Sequence, residues 1–336
     1  MDKQSGQLTH NDLTISLSDE KALTMEQGLA DTLDSSSAVH SWGAFYTKST
    51  TLYNEEGGSA DVSIVGAEDD ARMTEYFTFR TRVGHDPIPF EEDSVILTEK
   101  TALNLELSVG DTFYVEAADG SRVPLVLTGI TENYMFTRLY LSNAQLQALL
   151  GGTPEWNTVY GLTGCTTEAE YNALRTKLLG CNYVSSVSFT EDTTSMFGSL
   201  IGSLNYVVVL IIVCAAALAA VVLYNLISVN LAERKKELAT IKVLGFYDKE
   251  VYRYIFREIE LLSLIGSGVG LLLGVPLHRF IILTVEMDQL MFIRTIAPRS
   301  YLLAVALTML FTFVVCFAMR RHVRHISMVE SMKAPE

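Results

Sequence analysis

The chain has 336 residues and a formal net charge of −14, from 39 acidic and 25 basic side chains. That charge is unevenly placed: residues 1–199 hold 11 Lys and Arg against 29 Asp and Glu, and the remainder holds 14 against 10. So acidic a front portion argues against nucleic acid as a partner, and it is long enough to bury a core of its own.

Asp12 to Ser18 alternates Leu13, Ile15 and Leu17 with polar residues, the period of a half-buried strand. A helix-compatible stretch follows from Glu20 to Leu33, then a strand-like segment from Ala38 to Tyr46. The same order returns later: a strand from Asn157 to Thr163, a helix from Thr167 to Leu179 opened by a Thr-x-x-Glu cap, and a strand from Tyr183 to Phe189. These read as two βαβ-like halves of one α+β domain, a split ferredoxin-like arrangement spanning residues 1–199. Between them, about 58–150 reads as an inserted β-rich subdomain, with turns at Glu56-Gly57-Gly58, Val109-Gly110-Asp111 and Asp119-Gly120.

Residues 200–336 read as an all-α membrane domain. Three apolar runs, about 204–230, 259–278 and 301–319, are each long enough to cross a hydrocarbon core of about 30 Å at a rise of about 1.5 Å per residue. Arg234, Lys235, Lys236, Lys242, Lys249, Arg253 and Arg257 cluster between the first two runs, and Arg320, Arg321, Arg324 and Lys333 follow the third. Positive residues near span ends stay on the cytoplasmic side, so the expected topology is that of a multi-pass membrane protein with the acidic domain outside and the C-terminus in the cytoplasm. Residues 1–30 contain no apolar segment to carry that domain outward, so the expectation is that an opening helix comes from a longer form of the chain or from another polypeptide.

Few residues carry chemistry. His85, Asp86, Glu91, Glu92 and Asp93 lie close in sequence, but Pro87 and Pro89 sit among them and no nucleophile or second His joins them, so a solvated loop is the better reading. There is no P-loop signature and no Cys/His metal spacing, so the expectation is no catalytic, cofactor or metal site in this chain. Cys165 and Cys181, sixteen residues apart, leave a disulfide and two free thiols equally open. Gly266, Gly270 and Gly274 recur every four residues in the second run, the pattern of a close helix-packing face.

The segment between the first two runs carries the sharpest signal. Leu231, Leu238, Ile241 and Leu244 keep helical spacing past the first span, so that helix is expected to continue until Gly245 ends it. Asp248 is placed to cap a second amphipathic helix, Lys249 to Glu258. The result is an elbow, 231–258, on the cytoplasmic side.

Glu233-Arg-Lys-Lys-Glu-Leu-Ala-Thr-Ile-Lys-Val-Leu-Gly-Phe246, the Gly266/Gly270/Gly274 series and Ile326-Ser-Met-Val-Glu-Ser-Met-Lys333 resemble the C-terminal signature of FtsX-like permeases, the membrane subunits of MacB-type ABC transporters. Ser94 to Thr112 is similar to the periplasmic core of that family. The resemblance implies a permease built as helix, outer domain and three further helices; here the first helix is not seen. It implies a partner ABC ATPase, itself holding ATP and Mg, that engages the elbow at Lys242, Val243, Leu244, Gly245, Phe246, Asp248 and Lys249. It also implies a second permease copy or homologous half, and an extracytoplasmic substrate such as a peptide, lipid or amphiphile exported or extracted by mechanotransmission. A membrane-anchored receptor or adhesion module, or a regulator of a cell-wall hydrolase, is the alternative.

Overall fold

The structure is a computed structural model and describes residues 8–25, 28–117, 120–234, 237, 240–241, 244–245, 247–285 and 296–324. The chain divides after Ser199 into two compact units.

The first unit is built on one mixed sheet. Strand β1 (Leu13–Leu17) buries Leu13, Ile15 and Leu17 on one face, as strict alternation requires. Two short helices follow, α1 (Lys21–Thr24) and α2 (Leu29–Asp34), then β2 (Val39–Tyr53). The second half supplies β9 (Thr158–Thr163), α6 (Glu168–Leu179) and β10 (Val184–Phe189). The four strands lie in the order β10-β1-β9-β2, every neighbouring pair antiparallel. That is the interleaved order of a ferredoxin-like βαββαβ unit, because each crossover helix returns its strand beside the other half's strand.

Local chemistry explains the helices. Thr167 accepts from the Glu170 N–H while the Glu170 carboxylate accepts from the Thr167 N–H, a full capping box. The expected helix from Glu20 to Leu33 is instead two pieces, because Met25 is extended and the chain folds back so closely at Gly28 that a Cβ there would lie 2.8 Å from the Met25 carbonyl oxygen. Strand β2 also outruns its expected end at Tyr46. Its first half pairs with β9, and residues 45–53 pair with β3 (Ser59–Ala67).

The stretch between β2 and β9 extends the same sheet rather than forming a separate one. It contains α3 (Asp70–Tyr76), β4 (Val95–Thr98), α4 (Glu99–Asn104), β5 (Thr112–Glu116), β6 (Arg122–Val126), β7 (Gly129–Thr131), β8 (Arg138–Leu141) and α5 (Asn143–Leu150). Strands β3, β8, β4 and β7 continue outward from β2, while the β5–β6 hairpin pairs with the far end of β2. The two faces of this region bury different sets. Leu52, Ile64, Leu97, Phe113 and Leu139 pack on one, and an aromatic group of Phe45, Tyr76, Phe77, Phe79, Tyr140 and Tyr160 packs on the other. Phe45 lies edge-on to Tyr76, with ring centroids 5.5 Å apart.

The first unit also buries a charge. Glu132 has a fully buried side chain that accepts from Arg80 Nε at 2.8 Å and from the Tyr134 hydroxyl. Burial by itself would push its carboxyl up, but the Tyr134 hydroxyl and the Arg80 guanidinium outweigh it and hold the group below the usual carboxylate range. The same contact, together with burial, pushes the Tyr134 phenol up to about 12. His85, expected in a solvated loop, is half exposed with Nδ1 3.5 Å from the Glu132 carboxylate.

Among the described residues, the second unit holds three helices long and apolar enough to cross a membrane, with candidate spans Asn205–Asn230, Phe256–Thr284 and Pro298–Ala318. The first belongs to α7 (Thr190–Glu233), the second to α8 (Asp248–Val285) and the third to α9 (Pro298–Arg324). Pro276 sits inside α8, a placement that membrane helices tolerate more readily than soluble ones.

Candidate functional site

The elbow between α7 and α8 begins where α7 ends, at Glu233, with Arg234 in a turn. The expected continuation of this helix to Leu244 passes through residues 235–236, 238–239 and 242–243, which lie outside the described residues. Glu237, Thr240 and Ile241 are again helical, and the Leu244 N–H donates to the Thr240 carbonyl at 3.0 Å. Gly245 then adopts φ +94°, the left-handed conformation that ends a helix and that glycine alone reaches without a Cβ clash. A chain that turns this sharply needs both the glycine and a new helix start directly after it.

That start differs from the expected cap. Asp248 is the first residue of α8 rather than its cap, and α8 runs from there directly into the second span. The Glu250 carboxylate takes the capping role, accepting from the Tyr247 N–H at 3.0 Å. Leu244 and Tyr247 flank the glycine turn and are 72% and 77% exposed. Two large side chains thus stand open beside the glycine turn. Tyr247 was not among the sequence-derived contact residues; its one signal is its position next to Gly245 and Asp248. Lys242, Val243 and Phe246 lie outside the described residues, as do the side chains of Asp248 and Lys249 and the C-terminal stretch 326–333.

A second feature appears only in three dimensions. Arg234 donates from Nη1 to Glu258 Oε2 at 3.0 Å and from Nη2 to Glu258 Oε1 at 3.3 Å, a two-pronged pair across the base of the elbow. These residues are 24 positions apart, so no sequence period marks them as partners.

In the first unit, the start of α7 is tied to the sheet. Thr190 donates from its N–H to the Asp12 carbonyl and from its hydroxyl to the Asn11 carbonyl, both at 2.9 Å. Asp192 accepts from the Phe189 N–H and pairs with Arg175 of α6, whose guanidinium lies over the Phe189 ring. An acidic residue in the first helical turn is also favoured by the helix dipole.

The remaining candidates separate. Gly266, Gly270 and Gly274 line a groove of about 700 Å³ with Ala215, Ala219 and Tyr301. A Cβ at any of the three glycines would meet nothing within 4 Å, so they carry no close helix contact among the described residues. Cys165 and Cys181 are free thiols. They precede and follow the 12-residue α6, which at about 1.5 Å per residue sets them roughly 18 Å apart, well beyond disulfide reach. Cys181 instead approaches the Thr32 hydroxyl at 3.6 Å. Among the described residues no three His, Cys, Asp or Glu converge as a metal site.

Residues 209–328 match the model of the FtsX-like permease C-terminal family. Most of the second unit is thus similar to the FtsX-like permease C-terminal family, and the elbow lies inside the matched segment. No curated protein matches the chain. Among solved structures, the periplasmic region of MacB from Actinobacillus actinomycetemcomitans is 14% identical with a TM-score of 0.35, the alignment covering 57% of this chain and 94% of that one. The extracellular domain of the noncanonic ABC-type transporter YknZ from Gram-positive bacteria is 13% identical with a TM-score of 0.34, covering 54% of this chain and 100% of that one. The strand order β10-β1-β9-β2, independent of these likenesses, defines the fold of the first unit.

Proposed function

We propose that this protein is the permease subunit of an ABC transporter and that an ATPase partner engages the elbow. In this reading the first unit faces outward and the elbow faces the cytoplasm, the orientation that the cluster of Lys and Arg between the first two spans favours. The chain itself hydrolyses no ATP; the nucleotide and its Mg belong to the partner. Hydrolysis there moves the elbow, and α7 carries the movement toward the outer sheet, where Thr190 and Asp192 tie its first turn to β1 and α6. Work done outside is the export or extraction of a peptide, lipid or amphiphile. A second permease copy or a homologous half completes the membrane assembly.

The observation that carries this reading is the elbow tip: a glycine turn at φ +94° flanked by exposed Leu244 and Tyr247, inside a segment that matches the FtsX-like permease family. A receptor or adhesion module has no use for such a tip. The test is co-expression with candidate ABC ATPases followed by capture through the permease. Leu244→Asp with Phe246→Asp is expected to abolish capture while the outer sheet stays folded by circular dichroism. Equal capture by the variant, or no ATPase captured by the native chain, would sink the reading in favour of the receptor.

A further inference from the structure

We infer that Arg234 and Glu258 form a clasp that fixes the base of the elbow, so that load applied at its tip moves the lower end of α7 and the start of α8 together. The inference rests on the coupling reading above for its purpose, and on the geometry of the pair for its existence. Both terminal nitrogens of Arg234 meet both carboxylate oxygens of Glu258, at 3.0 and 3.3 Å. A paired fork resists sliding as well as separation, which a single ammonium contact does not.

The surroundings show why a clasp is needed there. Among the described residues, Ile227 is the one large apolar side chain of α7 that is fully buried, and Ile259 is the one in α8. Ile227 lies seven residues before Arg234, hence on the same helical face, and Ile259 directly follows Glu258. Most apolar side chains higher in both spans are open. The elbow contains a glycine turn at Gly245, a place where a load could be lost in bending. Joining the chain across its base keeps the lower ends of the two helices together below that turn. Arg234 is also held by its own backbone, whose N–H donates to the Asn230 carbonyl at 3.1 Å.

Arg234 and Glu258 are positioning residues under this view, and they should separate partner binding from partner activation. The experiment uses the full chain in lipid nanodiscs, native and with Arg234→Gln, Glu258→Gln, Arg234→Lys and the charge swap Arg234→Glu/Glu258→Arg. Amide exchange at Arg234, Leu244 and Glu250 is read first and needs no partner. Each Gln variant should raise it by up to about fivefold, the ceiling for a partly exposed pair; Lys should fall between, and the swap should return it toward native. With the captured ATPase, the Gln variants should bind as well as the native chain but lose its stimulation of ATP hydrolysis, again restored by the swap. Unchanged exchange in both Gln variants, or no recovery in the swap, overturns the clasp. Normal stimulation in the Gln variants, or binding lost in step with it, overturns its positioning role. Should the native chain capture no ATPase, the coupling reading fails and takes the clasp's purpose with it, while the exchange data still decide whether the clasp exists.

Discussion

The two units handle apolar side chains in opposite ways. In the sheet unit Leu13, Ile15, Phe45 and Phe113 are completely buried, distributed over three apolar clusters. In the helical unit the most apolar windows of the three spans are 0, 6 and 11% buried within the chain. Water surrounds the first, so burying hydrocarbon is the main favourable term. Hydrocarbon surrounds the second, so an outward-facing Leu or Val costs nothing and helix contacts depend on shape and polar pairing. Polar groups follow the same division: Glu132 is sealed with its partners inside the sheet unit, and Arg234 with Glu258 sits about a third exposed at the edge of the spans.

The comparison breaks most visibly through the sheet core. Phe45→Ala removes the ring that meets Tyr76 and Tyr160 and should destabilise the sheet unit by roughly 3–5 kcal/mol, read as faster amide exchange in β2 and β9. Glu132→Gln comes next, at roughly 2–3 kcal/mol, because Arg80 is left with an uncharged partner in a buried site. That pair also sets a pH dependence. The folded-state pKa of Glu132 is depressed, so its contribution is present above the ordinary Glu range, near pH 4.5, and is lost as pH falls through the lower folded value. Glu132→Gln should flatten that acid limb in a series of unfolding curves. Thr167→Ala deletes half of the capping box and should cost about 1 kcal/mol, with fraying confined to the start of α6.

The smallest effect is expected where a soluble core would show a large one. Gly270→Ala adds a methyl group that meets open space, so stability in detergent should change by less than about 1 kcal/mol. A clear loss of assembly in the bilayer, with the purified chain unharmed, would show that another helix uses the groove. Labelling the unreduced, unfolded protein with a maleimide should modify all four cysteines, including Cys165 and Cys181. Finding only two labelled would restore the disulfide.

Several elements were legible because their signals are local. Leu13, Ile15 and Leu17 announce β1 by alternation, Thr167 with Glu170 announces the start of α6, and the three apolar runs announce the spans. Gly245 was legible as a helix end for the same reason, since the requirement for a positive φ belongs to one residue. The long reach of β2 was not, since it depends on pairing with β3 and β9, and composition does not encode how closely those strands approach.

By itself, then, the sequence determined where the chain meets water and where it meets lipid, which segments are strand or helix, and which segment resembles a permease elbow. These are properties of hydropathy, period and capping, all summed over a few residues. Only the tertiary structure decided that the inserted strands lengthen one sheet, that Arg80 and Tyr134 close on Glu132, that α6 holds Cys165 and Cys181 apart, and that Arg234 reaches Glu258. Those are contacts between residues distant in the chain, selected by the geometry of the folded backbone and not by any neighbour in sequence.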